Sequence, residues 1–152
     1  MIFKTRIRAQ QIWKTSDRPV PRLEKFSLGG ARNLRGYNIE DIGPRQPYDV
    51  NNDGNFIFLN NGGQASIMSS VEVEHPLIRD AGIKWVLFFD AGNVYGTHVN
   101  ADNFDLIANW GFGFRWFSPI GILRFEFGYP LDTIEGSDNR ASQFHFDIGP
   151  YF

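Results

Sequence analysis

The second half of this chain alternates large apolar side chains with small or charged ones, residue by residue. Across residues 110–116 the even positions are tryptophan or phenylalanine and the odd positions are glycine or arginine. A period of two is typical of a β-strand with one apolar and one polar face, because successive side chains point to opposite sides. Helical periodicity is nearly missing from the chain, so the sequence predicts an all-β fold.

Six segments have this character and are separated by turn signals. The candidate strands are 2–13, 65–76, 82–95, 107–118, 121–131 and 142–152. Ser118-Pro119-Ile120-Gly121 is typical of a tight hairpin turn. Residues 43–64 are rich in Asn, Asp, Gly and Pro and are predicted to form a long irregular loop. We therefore expect an antiparallel meander of six strands in one domain.

The alternation places the charges of the later segments on one face of the sheet. Val71 and Val73 point away from the face that carries Glu72 and Glu74. The same parity puts Lys84, Asp90, Arg115, Arg124, Glu126, His145 and Asp147 on the charged face. It puts Trp85, Leu87, Phe89, Trp110, Phe112, Phe114, Trp116, Leu123, Phe125, Phe127, Tyr129, Phe144, Phe146, Ile148 and Phe152 on the other. A lysine or arginine facing lipid at mid-depth costs roughly 2–4 kcal/mol, so a bilayer requires such sorting.

Two architectures fit this alternation. In a membrane β-barrel the aromatic face contacts lipid, whereas in a soluble β-sandwich it forms the core and the charged face is wet. Aromatic residues near the strand ends favour the membrane barrel, where such residues form interfacial girdles. These residues are Trp85, Trp110, Trp116, Tyr95 and Tyr129.

A two-residue turn at Pro119-Ile120 also sets the pairing of the strands beside it. Trp116 then lies opposite Leu123, and Phe114 lies opposite Phe125. The same register places Arg115 opposite Arg124, which is an unfavourable like-charge pair. We expect Glu126, Asp147 or water to compensate for it.

The composition excludes several classes of function. The chain has 152 residues, a net charge of -2 and no cysteine, so nothing indicates a nucleic-acid partner, a disulfide framework or thiol metal ligands. Mean hydropathy is -0.30, and no stretch approaches the roughly 18 apolar residues of a membrane helix. No secretory signal peptide follows Met1. If the protein is exported, we expect this chain to be a piece of a longer precursor.

Neither a metal, a cofactor nor an enzymatic activity is predicted. Residues 49–54 fit the opening of a calcium loop, but the twelfth position is Asn60 where a bidentate Glu is needed. His75, His98 and His145 lack metal-site spacing. Glu72 and Glu74 are more typical of a polar wall than of a glycosidase pair, and no nucleophile motif or phosphate loop is present.

The approach to the second strand contains an arginine within a glycine-shaped loop. Residues 26–37 read Phe-Ser-Leu-Gly-Gly-Ala-Arg-Asn-Leu-Arg-Gly-Tyr. Gly29 and Gly30 free the backbone, and Arg35 carries five donors that need carboxylate partners if the side chain is withdrawn from water.

Four stretches of the chain, in this order, carry a family resemblance. They are the loop at 22–37, Phe88-Phe89-Asp90-Ala91-Gly92-Asn93-Val94-Tyr95, the run at 111–131, and the segment at 144–152. Together they resemble the BamA-type outer-membrane assembly barrels of the bacterial surface antigen superfamily. The resemblance implies a sixteen-stranded transmembrane barrel in a Gram-negative-type outer membrane. Residues 1–152 would then be a partial C-terminal barrel domain that supplies the last six strands.

The resemblance also implies roles for particular residues. The loop motif at 26–44 would fold into the lumen, where Arg35, followed by Gly36 and Tyr37, would bond Glu72 and Asp90 and so lock the loop. The terminal strand at 142–152 would carry the signal for membrane insertion and form a weak seam where substrate strands add. Its signal residues are Phe144, Phe146, Ile148, Gly149 and Phe152.

The implied function is insertion of outer-membrane proteins by sheet templating, with no covalent chemistry. Implied partners are outer-membrane lipids, unfolded outer-membrane protein substrates and accessory lipoproteins. Two alternatives stay open from the sequence: a polypeptide-translocating secretion pore of the same superfamily, and a soluble β-sandwich binding module. Six strands cannot close a membrane barrel, so we expect the isolated chain to associate through its open sheet edges.

Overall fold

A computed structural model of the protein describes residues 1–15, 17–50, 54, 56–99, 104–134 and 141–149. The strands are β1 (Ile2–Gln11), β2 (Arg45–Asp49), β3 (Phe56–Asn60), β4 (Ala65–Ile78), β5 (Ile83–Tyr95), β6 (Ile107–Ser118), β7 (Gly121–Pro130) and β8 (Gln143–Ile148). One turn of 3₁₀ helix, Arg22–Glu24, precedes the glycine loop. The described residues contain no helix long and apolar enough to cross a membrane.

Within the described residues, six strands form one sheet in the order β1-β4-β5-β6-β7-β8. Every neighbouring pair is antiparallel, which confirms the predicted meander. β1 and β8 lie at opposite edges of the sheet, so it is not closed in this chain. The first strand ends at Gln11, two residues before the predicted end. The last described strand is Gln143–Ile148, and Phe152 lies outside the described residues.

The prediction of an irregular loop over residues 43–64 is wrong. β2 and β3 pair there as an antiparallel hairpin, with Arg45 opposite Asn60 and Tyr48 opposite Ile57. The Asn, Asp, Gly and Pro residues of this segment lie mostly outside the two strands, at 43–44, 51–55 and 61–63. Within the strands, Tyr48 and the run Phe56–Asn60 favour extended backbone because aromatic and β-branched residues fit a pleated surface.

The predicted sorting of side chains between the two faces is present in the sheet. In β6, Phe112 and Phe114 are 38% and 40% exposed, while Gly111, Gly113 and Arg115, which alternate with them, are buried. Aromatic rings stack across neighbouring strands on the open face, as in Trp110 over Tyr129, whose centroids are 5.0 Å apart. The register also places Arg115 opposite Arg124, as the turn geometry predicts.

Tyr95 departs from the predicted aromatic girdle, because it is only 5% exposed. Its hydroxyl donates to the carbonyl oxygen of Asp105 at 2.7 Å, and Asn93 Nδ2 donates to the same oxygen at 3.0 Å. The backbone amide of Gln64 also bonds to Tyr95 at this end of β5. The connection after β5 and the residue before β4 therefore contact Tyr95, and strand parity does not predict such contacts.

The apolar core lies on the charged side of the sheet, which rules out the β-sandwich. Loop residues Leu28, Leu34, Tyr37 and Ile42 pack there against Met68, Val94 and Ile134. In the part of the chain that the structure describes, the second sheet, β2–β3, does not contact the strands of the six-stranded sheet. A sandwich would bury that side, whereas here a loop covers the polar one.

The prediction that the aromatic side faces lipid implies a penalty that depends on depth. In the full-length protein, Phe112→Arg should lower the free energy of unfolding by about 2–4 kcal/mol, because Phe112 lies in the middle of a strand. Ile120→Arg, in the exposed turn after β6, should cost at most about 1 kcal/mol. Urea unfolding in phospholipid vesicles measures both values, and equal penalties would contradict a lipid-facing surface.

Candidate functional site

Loop 26–44 is folded over the polar wall of the sheet. Its ends are fixed by isolated bridges, Phe26 with Gly63 and Leu28 with Ile42. Gly29 and Gly30 have φ angles of 115° and 93°, a region that side chains disfavour. A Cβ at Gly29 would lie 2.1 Å from the carbonyl oxygen of Asn38. The predicted loop glycines therefore allow a tight fold that places Arg35 against the sheet.

The Arg35 side chain is completely buried, with 0% exposure, and is surrounded by acceptors. Its Nε and Nη2 donate to the two oxygens of Asp90 at 2.9 and 2.7 Å, so this pair is bidentate. Its Nη1 donates to Glu72 Oε1 at 2.5 Å, and its backbone amide donates to Asp90 Oδ2 at 3.3 Å. Both acids that the family resemblance assigned to Arg35 thus lie within hydrogen-bonding distance of it.

Three further residues contact the guanidinium group of Arg35 that the sequence reasoning did not assign to it. Nη1 reaches Glu126 Oε2 at 3.3 Å, and Nη2 donates to Ser70 Oγ at 3.2 Å. The guanidinium carbon lies 3.5 Å from the centre of the Phe88 ring, a cation–π contact. Parity places all three on the polar face, but sequence alone does not say how far the loop reaches. We call Arg35, Ser70, Glu72, Asp90 and Glu126 the Arg35 cluster.

A second arginine extends the cluster sideways. Arg115 Nη2 donates to Glu126 Oε1 at 2.7 Å and to Glu72 Oε1 at 2.9 Å. It also bonds Glu74. Glu74 in turn accepts from Lys4 at 2.7 Å and lies 3.4 Å from Lys84.

Among the described residues, this network joins four carboxylates to four cations. The carboxylates are Glu72, Glu74, Asp90 and Glu126, and the cations are Lys4, Arg35, Lys84 and Arg115. The predicted compensation for the Arg115–Arg124 pair is also present. Glu126 binds Arg115, and Asp147 binds Arg124. Each arginine of the like-charge pair thus has a carboxylate partner.

The loop backbone packs on the sheet more closely than side chains would allow. A Cβ at Gly128 would lie 2.2 Å from the carbonyl oxygen of Arg35. A Cβ at Gly36 would lie 2.5 Å from the Cβ of Asn109. Gly128 was not among the predicted site residues. Its place on the inward face of a strand was the available signal, because glycine there marks close backbone approach.

Tyr37 connects the loop to the ends of β6 and β7. Its hydroxyl lies 2.9 Å from the carbonyl oxygen of Ala108 and 3.0 Å from that of Asp132, and it accepts from the Asp132 amide at 3.2 Å. The ring is fully buried. Burial raises the pKa of Tyr37 to about 12.

The predicted signal residues of the last strand lie apart from the Arg35 cluster. Phe144, Phe146 and Ile148 are 55%, 53% and 56% exposed on the aromatic side. Gly149 has a φ of 126°, and its amide donates to the Ile122 carbonyl oxygen at 2.8 Å.

No cluster of three or more metal-ligating residues occurs in the described ranges. Residues 51–53 of the candidate calcium loop lie outside them. Asn60, its twelfth position, bonds Glu40 and Gly62 through its side chain.

Comparison with known proteins agrees with this architecture. The whole chain, residues 1–152, matches the Omp85 superfamily domain. The chain belongs to the Omp85 superfamily. It is 34% identical over 99% of its length to the outer membrane protein assembly factor BamA of Nitratidesulfovibrio vulgaris. It is 27% identical over 88% of its length to BamA of Neisseria meningitidis serogroup B.

The fold likeness extends to a solved structure. The crystal structure of BamA from Haemophilus ducreyi lacking POTRA domains 1-3 superposes with a TM-score of 0.72 at 23% identity. That match covers 95% of this chain and 30% of the crystallised one. The chain spans only 18% and 19% of the length of the two curated relatives above. It is thus part of an outer-membrane β-barrel family of non-enzymatic proteins, as the resemblance predicted.

Two glycine variants test the close contact at Gly128. Gly128→Ala in the full-length protein should push the loop off the wall, since its Cβ would overlap the Arg35 carbonyl group. Gly96→Ala has no neighbour within 4 Å and is the control. Limited trypsin digestion at the loop arginines should accelerate severalfold in Gly128→Ala alone. Equal digestion of both variants would contradict the close packing.

The raised pKa of Tyr37 predicts an alkaline loss of stability. The folded pKa of about 12 exceeds the ordinary value of 10.0, so the unfolded chain releases this proton first as pH rises. Tyr37 should therefore stabilise the fold fully below pH 10 and progressively less towards pH 12. The stability difference between the wild type and Tyr37→Phe, from thermal unfolding at several pH values, should shrink over that window. A constant difference would contradict the shift.

Proposed function

We propose that this chain is one sector of an outer-membrane β-barrel that inserts other β-barrel proteins into the membrane. Its sequence relatives, matched along nearly its whole length, bear the name of outer membrane protein assembly factors. The observation that carries the proposal is the Arg35 cluster, in which a charged loop tip is fully buried on the polar wall. The opposite wall is aromatic and suits lipid. The chain works as a scaffold, with no covalent step.

Two strand edges give this scaffold its place in a larger barrel. Backbone groups at the edge of a sheet seek another strand, and in a bilayer an unpaired edge is very costly. We assign the free edge of β1 to preceding strands of the same protein and the free edge of β8 to the barrel seam. A substrate strand would add at that seam by antiparallel edge pairing, which supplies main-chain hydrogen bonds regardless of its side chains.

The proposed partners follow from the same arrangement. Lipid contacts the aromatic wall, and an unfolded outer-membrane protein contacts the seam. Accessory lipoproteins are included in the proposal on the family resemblance alone. We assign residues 26–44 the role of a lumen lock, held by Arg35, Gly36 and Tyr37 against Glu72 and Asp90, with Gly29 and Gly30 shaping the loop. Phe144, Phe146, Ile148 and Gly149 form the proposed insertion signal of the last strand.

Arg35→Ala tests the proposal in the full-length protein. Removing the guanidinium leaves Glu72, Asp90 and Glu126 facing one another without their shared cation. A buried pair that loses one partner costs about 3–5 kcal/mol, and lumen water reduces that value. The strands should stay paired while the loop loosens. Insertion of an unfolded barrel substrate into proteoliposomes should fall at least tenfold, measured by the mobility shift of the folded product on gels without heating.

Arg79→Ala is the matched control, because Arg79 is an exposed arginine in the turn between β4 and β5. It should leave insertion unchanged. Normal insertion by Arg35→Ala would contradict the proposed role of the loop. If the wild type moved a passenger polypeptide across the bilayer and inserted no barrel substrate, the secretion alternative would replace the assembly function.

A further inference from the structure

β8 lies at the edge of the sheet. In the described residues it pairs with β7 over six positions, from Leu123–Ile148 to Gly128–Gln143, and with no strand on its other side. An edge strand has main-chain hydrogen bonds to one neighbour alone and separates more easily than a central strand. Contacts from the polar face of β8 therefore add to what holds this strand.

That face contacts the loop through His145. Its Nε2 lies 2.7 Å from the carbonyl oxygen of Arg35, so this nitrogen carries the proton and donates. His145 pairs directly with Glu126 in β7, and Glu126 binds the guanidinium of the same arginine. Residues of β4, β5 and β7 thus bind the side chain of Arg35, and a residue of β8 binds its carbonyl oxygen.

Asp147 makes the second contact between β8 and the loop, but a weaker one. It binds Arg124 of β7 and lies 3.8 Å from Arg32 of the loop. The Arg32 side chain is 80% exposed, and exposed pairs of this kind contribute little. The partly buried bond from His145 is therefore the main link from β8 to the loop.

We infer that His145 is a positioning residue that couples insertion of the lumen loop to attachment of the last strand. When Arg35 is seated, its carbonyl oxygen faces β8 and accepts a hydrogen bond from His145 Nε2. When the loop withdraws, that acceptor is lost, and β8 is then held in the described residues by its contacts with β7 alone. By linkage the coupling works in both directions, so separation of β8 also weakens the seating of the loop. The inference deepens the proposed function, because β8 is the proposed seam strand.

Hydrogen exchange of the full-length protein in phospholipid nanodiscs tests the coupling, followed in peptides covering 26–44 and 141–149. His145→Leu removes the donor and should raise exchange about fivefold in both peptides, the value for loss of one net hydrogen bond. His145→Gln keeps a side-chain N–H and should restore exchange to within twofold of the wild type. Gln143→Leu is the control on the same strand and face, because the Gln143 amide bonds only locally, to Ala141, in the described chain. It should leave the loop peptide unchanged.

A double substitution sharpens the test. If Arg35→Ala has already released the loop, adding His145→Leu should change exchange in 141–149 by less than twofold, since coupled contacts are not additive. Should His145→Leu fail to fold, His145→Phe keeps a ring without the donor and is interpreted in the same way. Faster exchange confined to 141–149, or equal behaviour of the Gln and Leu variants, would overturn the inference. These outcomes leave the insertion assay untouched, so the inference and the proposed function fail separately.

Discussion

A guanidinium group withdrawn completely from water requires opposite charge and hydrogen-bond acceptors around it. At Arg35 three strands of the sheet supply these charges and acceptors. Arginine suits the site better than lysine, because its planar fork meets both oxygens of Asp90 and its face lies on the Phe88 ring. A lysine ammonium would satisfy neither contact in the same way. The acids come from β4, β5 and β7, so a single loop residue connects strands that are far apart in sequence.

The same requirement explains the unusual distribution of polarity. The packed core lies on the charged wall, and the exposed side chains of the sheet are aromatic. In water this order would be reversed, but in a bilayer it is the favourable one. Charge balance adds to it, since Arg115 shares Glu72 and Glu126 with Arg35 and reaches Glu74. Glu72 and Glu126 are thus each bound by two arginines.

Strand parity predicted much of this, because a period of two assigns every side chain to a face. It placed Glu72, Asp90, Glu126 and His145 inward, and the turn at Pro119-Ile120 fixed the opposition of Arg115 and Arg124. The assignment of Arg35 to Glu72 and Asp90 needed the family resemblance. Parity says nothing about the depth of a loop, so the contacts of Arg35 with Ser70, Glu126 and the β8 histidine were not predicted. The β2–β3 hairpin was missed because turn residues outnumbered the short apolar runs beside them.

Gly36 and Gly128 meet where the loop backbone lies against β7, without room for a methyl group on either. A methyl group at Gly128 would overlap the Arg35 carbonyl group, and one at Gly36 would overlap the Asn109 side chain. Substitution of either glycine during evolution is therefore constrained by the other. A larger residue at one of them is tolerated only after other substitutions have changed the loop or the strands beside it. Mutational drift should for this reason be slower at these two glycines than at Gly96, where a side chain would project into open space.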